Sequence, residues 1–259
     1  MKKIAFILAI GFAFVACDND DETTPLPVVN TSVAFVFTQN FDDQNIQNAD
    51  YETTEYTNAN GEVLTLSKLV YLISDITFTN AVGDVFDAGD YNLIDARTGE
   101  NTVFTPNIEI PEGDYTVSFT YGFDDEDNID LAYPDLNSSD GSWSVPGTLG
   151  GGYHFMRMEG EYTNNMSDLV SFQYHNVRAN TQNPPVTTDT SIEVDLGQVS
   201  IVEGTSIEVK MNVAEWFKNP NQWDLNVLFT ILMPNFDAQI MMNENGQNVF
   251  SRGDVTVAP

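Results

Sequence analysis

The sequence is poor in the residues from which most catalytic sites are built. Its 259 residues hold one cysteine and two histidines, against 39 aspartates and glutamates. Cys17 ends a secretory leader: Met1-Lys2-Lys3 is a charged n-region, residues 4–16 are apolar but too short for an ordinary transmembrane helix, and Ala16 sets a small residue before the cysteine. With Cys17 committed there, no thiol is left for a disulfide, a zinc–thiolate site or a cysteine nucleophile. Basic residues are scarce too. Lys2 and Lys3 leave with the leader, so seven of the nine remain and the formal charge nears −32. Such a surface repels nucleic acid and anionic head groups and concentrates cations. No Gly-x-Ser-x-Gly elbow accompanies the histidines, and nothing local selects a carboxylate pair for glycoside hydrolysis, so no enzymatic role is expected. Helical periodicity is missing as well. Only Ala214-Glu-Trp-Phe-Lys218 looks like a helical turn, and Pro220 stops it.

What is present is β-forming. Hydrophobic residues make up 42% of the chain and aromatics 12%, enough to bury a substantial core. Val33, Phe35 and Phe37 alternate in the first run; residues 69–78 form a long apolar run; Asn80-Ala-Val-Gly83-Asp reads as its turn. Tyr115, Val117, Phe119 and Tyr121 alternate again. Residues 191–196 and 206–213 alternate on either side of a Gly-containing turn, which predicts a hairpin. About eight to ten such strands, with no internal repeat and no domain boundary, predict an all-β fold: a single-domain antiparallel β-sandwich of immunoglobulin-like type over residues 31–258.

Both histidines fall in one stretch, residues 150–178. Period-2 alternation over 153–158 puts Tyr153, Phe155 and Arg157 on one face and His154, Met156 and Met158 on the other. Imidazole suits copper and zinc, and thioether favours Cu(I). His154, Met156 and Met158, with His175 on a nearby strand, therefore make a chemically sensible copper site. Methionine also fills gaps in cores, which is the plainer reading of at least one of the two. Residues 123–130 pack five carboxylates behind a strand, and Asp124, Asp125, Asp127 and Asp130 are candidate calcium ligands, although the EF-hand pattern does not fit and a solvated acidic loop is the alternative. Trp216, Trp223 and Tyr133 could form a sugar-stacking platform or, more plainly, part of the core.

Two resemblances extend this reading. Phe14-Val15-Ala16-Cys17 resembles a bacterial lipobox, which implies a signal peptide over residues 1–17 and a lipid on Cys17. The acidic, proline-containing stretch 18–30 suits a disordered tether and is similar to the surface-export signal of Bacteroidetes-type lipoproteins, so the expected location is the outer membrane, at its periplasmic face or at the cell surface. Further on, Val33-Ala-Phe-Val-Phe, Leu69-Val-Tyr-Leu-Ile-Ser-Asp-Ile, Ile110-Pro-Glu-Gly-Asp-Tyr, Phe119-Thr-Tyr-Gly-Phe-Asp, Gly152-Tyr-His-Phe-Met-Arg-Met-Glu-Gly and Phe172-Gln-Tyr-His175 occur in this order. Together they resemble the MbnP-like family of extracytoplasmic β proteins associated with methanobactin. That resemblance implies copper bound by histidine, with His175 matching the signature histidine. It also implies a tryptophan oxidised near the metal in some relatives, for which Trp143 is the candidate. The partners it implies are a di-haem peroxidase-like enzyme or a TonB-dependent transporter. The chain departs from the family pattern at Thr38-Gln39-Asn40, where relatives often carry a histidine, and in the nine residues that separate Trp143 from Tyr153. The resulting expectation is a lipid-anchored, non-enzymatic copper-binding protein; the alternative is a surface glycan-binding or structural lipoprotein of the same fold without a metal.

Overall fold

Eight strands of eight or more residues carry the architecture: β1 (Ala34–Phe41), β2 (Val63–Asn80), β3 (Gly113–Tyr121), β4 (Met156–Thr163), β5 (Leu169–Asn176), β6 (Ile192–Ile201), β7 (Thr205–Asn212) and β8 (Phe250–Val257). The computed structural model describes residues 28–89, 91–182 and 184–258; the leader, Cys17 and residues 18–27 of the tether lie outside the described residues. One sheet runs in the order β5-β4-β2-β3-β6, with short strands Tyr56–Thr57, Val85–Asp87 and Asn92–Asp95 also paired to β2. The other runs β8-β7-β1 and ends on Gln44–Ile46, with Val103–Phe104 added beside β1. The sheets bury one continuous core between them, which makes the molecule an all-β sandwich.

The alternating residues do what their period requires. Phe35 and Phe37 point into the core from β1, with Val33 just before it, and Tyr115, Val117, Phe119 and Tyr121 from β3. The turn at 80–84 forms as predicted, with Asn80 Oδ1 accepting from the amides of Val82 and Asp84 and Gly83 at positive φ. Strand β2 is longer than its apolar run, and its centre is buried on both sides. Leu69, Tyr71 and Ile73 enter the main core, while Val70 and Leu72 lie on the outer face in a second, smaller cluster with Phe123, Leu136, Trp143 and Tyr153. The loop over residues 122–153 therefore acts as a lid on the outside of the sheet. That placement explains a run that alternation alone cannot: a strand covered on both faces reads as continuously apolar.

Three expectations are corrected: the hairpin, the lack of a helix beyond the turn near Pro220, and the sugar platform. Strands β6 and β7 do not form a hairpin: β6 pairs with β3, whereas β7 pairs with β8 and with β1, so the chain crosses from one sheet to the other at residues 202–204. The β7–β1 pairing is parallel, the one departure among the described strand pairs from an antiparallel sandwich. An α-helix, α1 (Phe236–Gly246), stands where none was expected. Its buried residues, Ala238, Gln239, Met242, Asn245 and Gly246, follow the helical period, but two of them are polar amides and the apolar pattern is broken. Asn235 caps it by accepting from the Ala238 amide. The turn near Pro220 is present as a 3₁₀ helix, Val213–Phe217. Trp216 and Trp223 are both fully buried, so they cannot serve as a sugar platform. Tyr133 belongs to the outer aromatic cluster, stacked on Phe123 with ring centroids 4.6 Å apart. Among the described residues no helix is long and apolar enough to cross a membrane.

Candidate metal centre

Strands β4 and β5 pair antiparallel, with Arg157 opposite His175 and Glu159 opposite Gln173. Side chains directly opposite share a face, so His175, Arg157 and Glu159 lie on the outer face, while Met156, Met158, Phe172 and Tyr174 lie in the core. His154 joins the outer group. Its ring centroid is 5.7 Å from that of His175, and its Nδ1 is 3.2 Å from Arg157 Nη2. The expected alternation fails here for a visible reason. Gly150, Gly151 and Gly152 all have positive φ, and the amide of His154 donates to the Trp143 carbonyl of the lid rather than to the sheet. The regular ladder begins only at Met156, so residues 153–155 do not share its period.

Met156 and Met158 are consequently corrected from candidate ligands to core residues. Both are fully buried between the sheets, on the side of β4 opposite the histidines.

The two imidazoles have different surroundings. His154 is buried at 3% exposure, with Nδ1 2.8 Å from the Trp143 carbonyl. Burial, with the neighbouring Arg157 charge adding to it, pushes its pKa down to about 3, so it is neutral at ordinary pH. His175 Nε2 lies 2.9 Å from Glu159 Oε1. That hydrogen bond, with support from the charges of Lys68 and Arg157, holds the Glu159 carboxylate below its ordinary range despite partial burial.

Trp143 closes the site. Its indole is fully buried, 5.6 Å from the His154 ring between centroids, and the Arg157 guanidinium sits 4.8 Å over its face. Its Nε1 has no hydrogen-bond partner. Behind the helix-facing end of β5, Gln239 is also fully buried. It accepts from Asn176 Nδ2 and the Val177 amide and donates to the carbonyls of His175 and Leu232, tying α1 to the backbone of a site residue.

The acidic run does not assemble. Asp124 Oδ1 accepts from the amides of Glu126 and Asp127, Asp125 pairs with Arg178, and Asp130 accepts from the Gly152 amide. Each carboxylate is engaged separately to shape the lid. Among the described residues, no group of three or more His, Cys, Asp or Glu side chains gathers as a metal cluster, so the proposed calcium loop is not formed by Asp124, Asp125, Asp127 and Asp130. At the departure from the family pattern, Gln39 is buried and donates from Nε2 to the Tyr71 hydroxyl at 3.0 Å.

The sequence model of the MbnP family matches residues 30–241, most of the chain. The chain belongs to the MbnP family. Among solved structures it is similar to MbnP from Methylosinus trichosporium, at 13% identity and a TM-score of 0.47, covering 75% of this chain and 80% of that one. No curated protein matches the sequence. Membership agrees with the ordered motifs, and the residues those motifs did not single out are the polar neighbours of the histidines: Arg157, Glu159, Asp140 and Gln239. One signal for them was present, since each histidine precedes an arginine by three residues, His154 before Arg157 and His175 before Arg178, in a chain with few cations.

Proposed function

We propose that this member of the MbnP family is a non-enzymatic copper-binding protein whose ligands are the ring nitrogens of His154 and His175. The observation that carries this reading is the pair itself: two imidazoles 5.7 Å apart on neighbouring segments, one of them neutral through burial. With metal–nitrogen bonds of about 2 Å, rings at this separation reach a single ion. The donor set fits copper in its softer state. Two imidazole nitrogens suffice for low-coordinate Cu(I), whereas calcium would need six or more oxygens. When bound, copper would be held at the outer face under the lid, with Trp143 beside it. On the same reading Cys17 carries a lipid that keeps the domain at the outer membrane. A metal-free role in glycan binding or scaffolding is favoured by one observation, the Gln39 that stands where relatives often have histidine.

Titrating Cu(I) into the chain lacking residues 1–17, against a chromophoric chelator, decides between them. Tight one-to-one binding that is lost in His175→Ala, with an unchanged circular dichroism spectrum, is expected. Equal binding by wild type and by a His154→Ala/His175→Ala double variant would overturn the assignment.

A further inference from the structure

Arg157 has more specific partners than either histidine. Its Nη1 donates to the Asp140 carbonyl at 2.9 Å and to Asp140 Oδ2 at 3.1 Å, and its Nη2 donates to the Ser142 carbonyl at 2.5 Å. The guanidinium plane covers Trp143. Only a planar fork of fixed donors meets three successive points of one loop in this way, which a lysine ammonium does not reproduce. Arg157 itself is fixed in the middle of the sheet, between Val70 of β2 and His175 of β5. The residue therefore fastens the lid segment 140–143 to a rigid strand.

That fastening has a chemical consequence at His154. The Trp143 carbonyl accepts both from the His154 amide, at 3.0 Å, and at Nδ1, at 2.8 Å. A carbonyl oxygen carries no proton. At 2.8 Å, Nδ1 must be the donor, because two facing lone pairs would repel. Arg157 Nη2 lies 3.2 Å from the same nitrogen and keeps a second hydrogen besides the one given to Ser142, but an unprotonated Nδ1 accepting it would face the Trp143 carbonyl lone pairs at 2.8 Å, so the shorter contact decides. The proton is thus placed on Nδ1, and the lone pair is left on Nε2.

We propose that Arg157 is the positioning residue of the histidine pair: by pinning Asp140, Ser142 and Trp143 it holds the Trp143 carbonyl against His154 Nδ1 and leaves Nε2 as the nitrogen available to a metal. This rests on the copper reading for its purpose, but the tautomer can be measured without metal.

The experiment is a long-range ¹H–¹⁵N correlation spectrum of the histidine side chains in the metal-free chain lacking residues 1–17, recorded for wild type, Arg157→Met and Arg157→Lys, followed by Cu(I) competition. Wild type is expected to show His154 protonated on Nδ1 alone. Arg157→Met should show both tautomers, or mainly the Nε2–H form, and bind Cu(I) at least about tenfold more weakly, the usual scale for loss of a residue that orients a ligand. Arg157→Lys should resemble Arg157→Met, because charge without the fork does not hold the loop. A wild-type His154 protonated on Nε2 would overturn the proposal, whether or not any variant folds. So would a folded Arg157→Met with the wild-type tautomer and affinity. If the tautomer moves as expected while wild type binds no copper, the positioning role stands and the copper reading falls.

Discussion

Strands β4 and β5 present two faces that share a backbone and little else. The inner face carries Met156, Met158, Phe172 and Tyr174, all essentially without solvent exposure and packed in the main core. The outer face carries Arg157, Glu159 and His175, half-covered by a lid that brings in Trp143, Asp140 and His154. The carboxylates and imidazoles of the outer set each meet a specific partner, whereas the inner set makes one side-chain hydrogen bond, from the Tyr174 hydroxyl to the Trp216 carbonyl. The difference assigns stability to the inner face and makes the outer face the candidate site. Soft thioethers beside histidines in sequence are thereby separated from them in space by the thickness of one strand.

The sharpest way to break that division is to truncate the inner face. Met156→Ala should cost about 2–5 kcal/mol, the range for emptying a fully buried methionine site. Urea denaturation reads the loss, and Cu(I) affinity at a concentration where the variant is folded should match wild type. A copper affinity that fell with Met156 would return the thioether to the ligand set.

The outer face can be tested through pH. The folded-state pKa of His154 is depressed to about 3 from an ordinary 6.5. The unfolded chain therefore binds the extra proton first. Stability that is complete above pH 6.5 is lost as the pH falls toward 3. Between pH 6.5 and 5 the loss is on the order of 1–2 kcal/mol, at roughly 1.4 kcal/mol per pK unit. A His154→Gln variant should flatten that part of the profile in denaturant melts. An unchanged slope would mean that His154 is not the group responsible.

These two faces also show which parts of the architecture could be read from the residues. Strands β1 and β3 were legible because a single buried face leaves a clean alternation. The double burial of β2 was legible only as a long apolar run, since the lid that covers Val70 and Leu72 comes from residues far along the chain. His175 was legible as a residue of a second strand near the first. His154 was not, because the three glycines before it reset the alternation and its amide turns to the lid. Helix α1 was hidden by Gln239 and Asn245, which are buried for hydrogen bonding rather than for burial of apolar surface. The partners of the histidines are tertiary facts: Glu159 precedes His175 by sixteen residues and reaches it only through strand pairing.

The smallest effect sharpens the comparison within the outer face. Asp140 is held by Lys68, at 2.8 Å, as well as by Arg157. The Lys68 and Asp140 side chains are 31% and 27% exposed, and ion pairs this open to water contribute no more than about 1 kcal/mol. Lys68→Met should therefore lower stability by less than that, with the deficit shrinking in high salt as screening weakens the pair that the wild type retains. Its effect on copper should be negligible, because Lys68 touches the lid at a carboxylate, whereas Arg157 also grips two carbonyls and an indole. A Lys68→Met variant that weakened Cu(I) binding as much as Arg157→Met would show that neutralising Asp140, and not the fork of the guanidinium, is what holds the lid over the histidines.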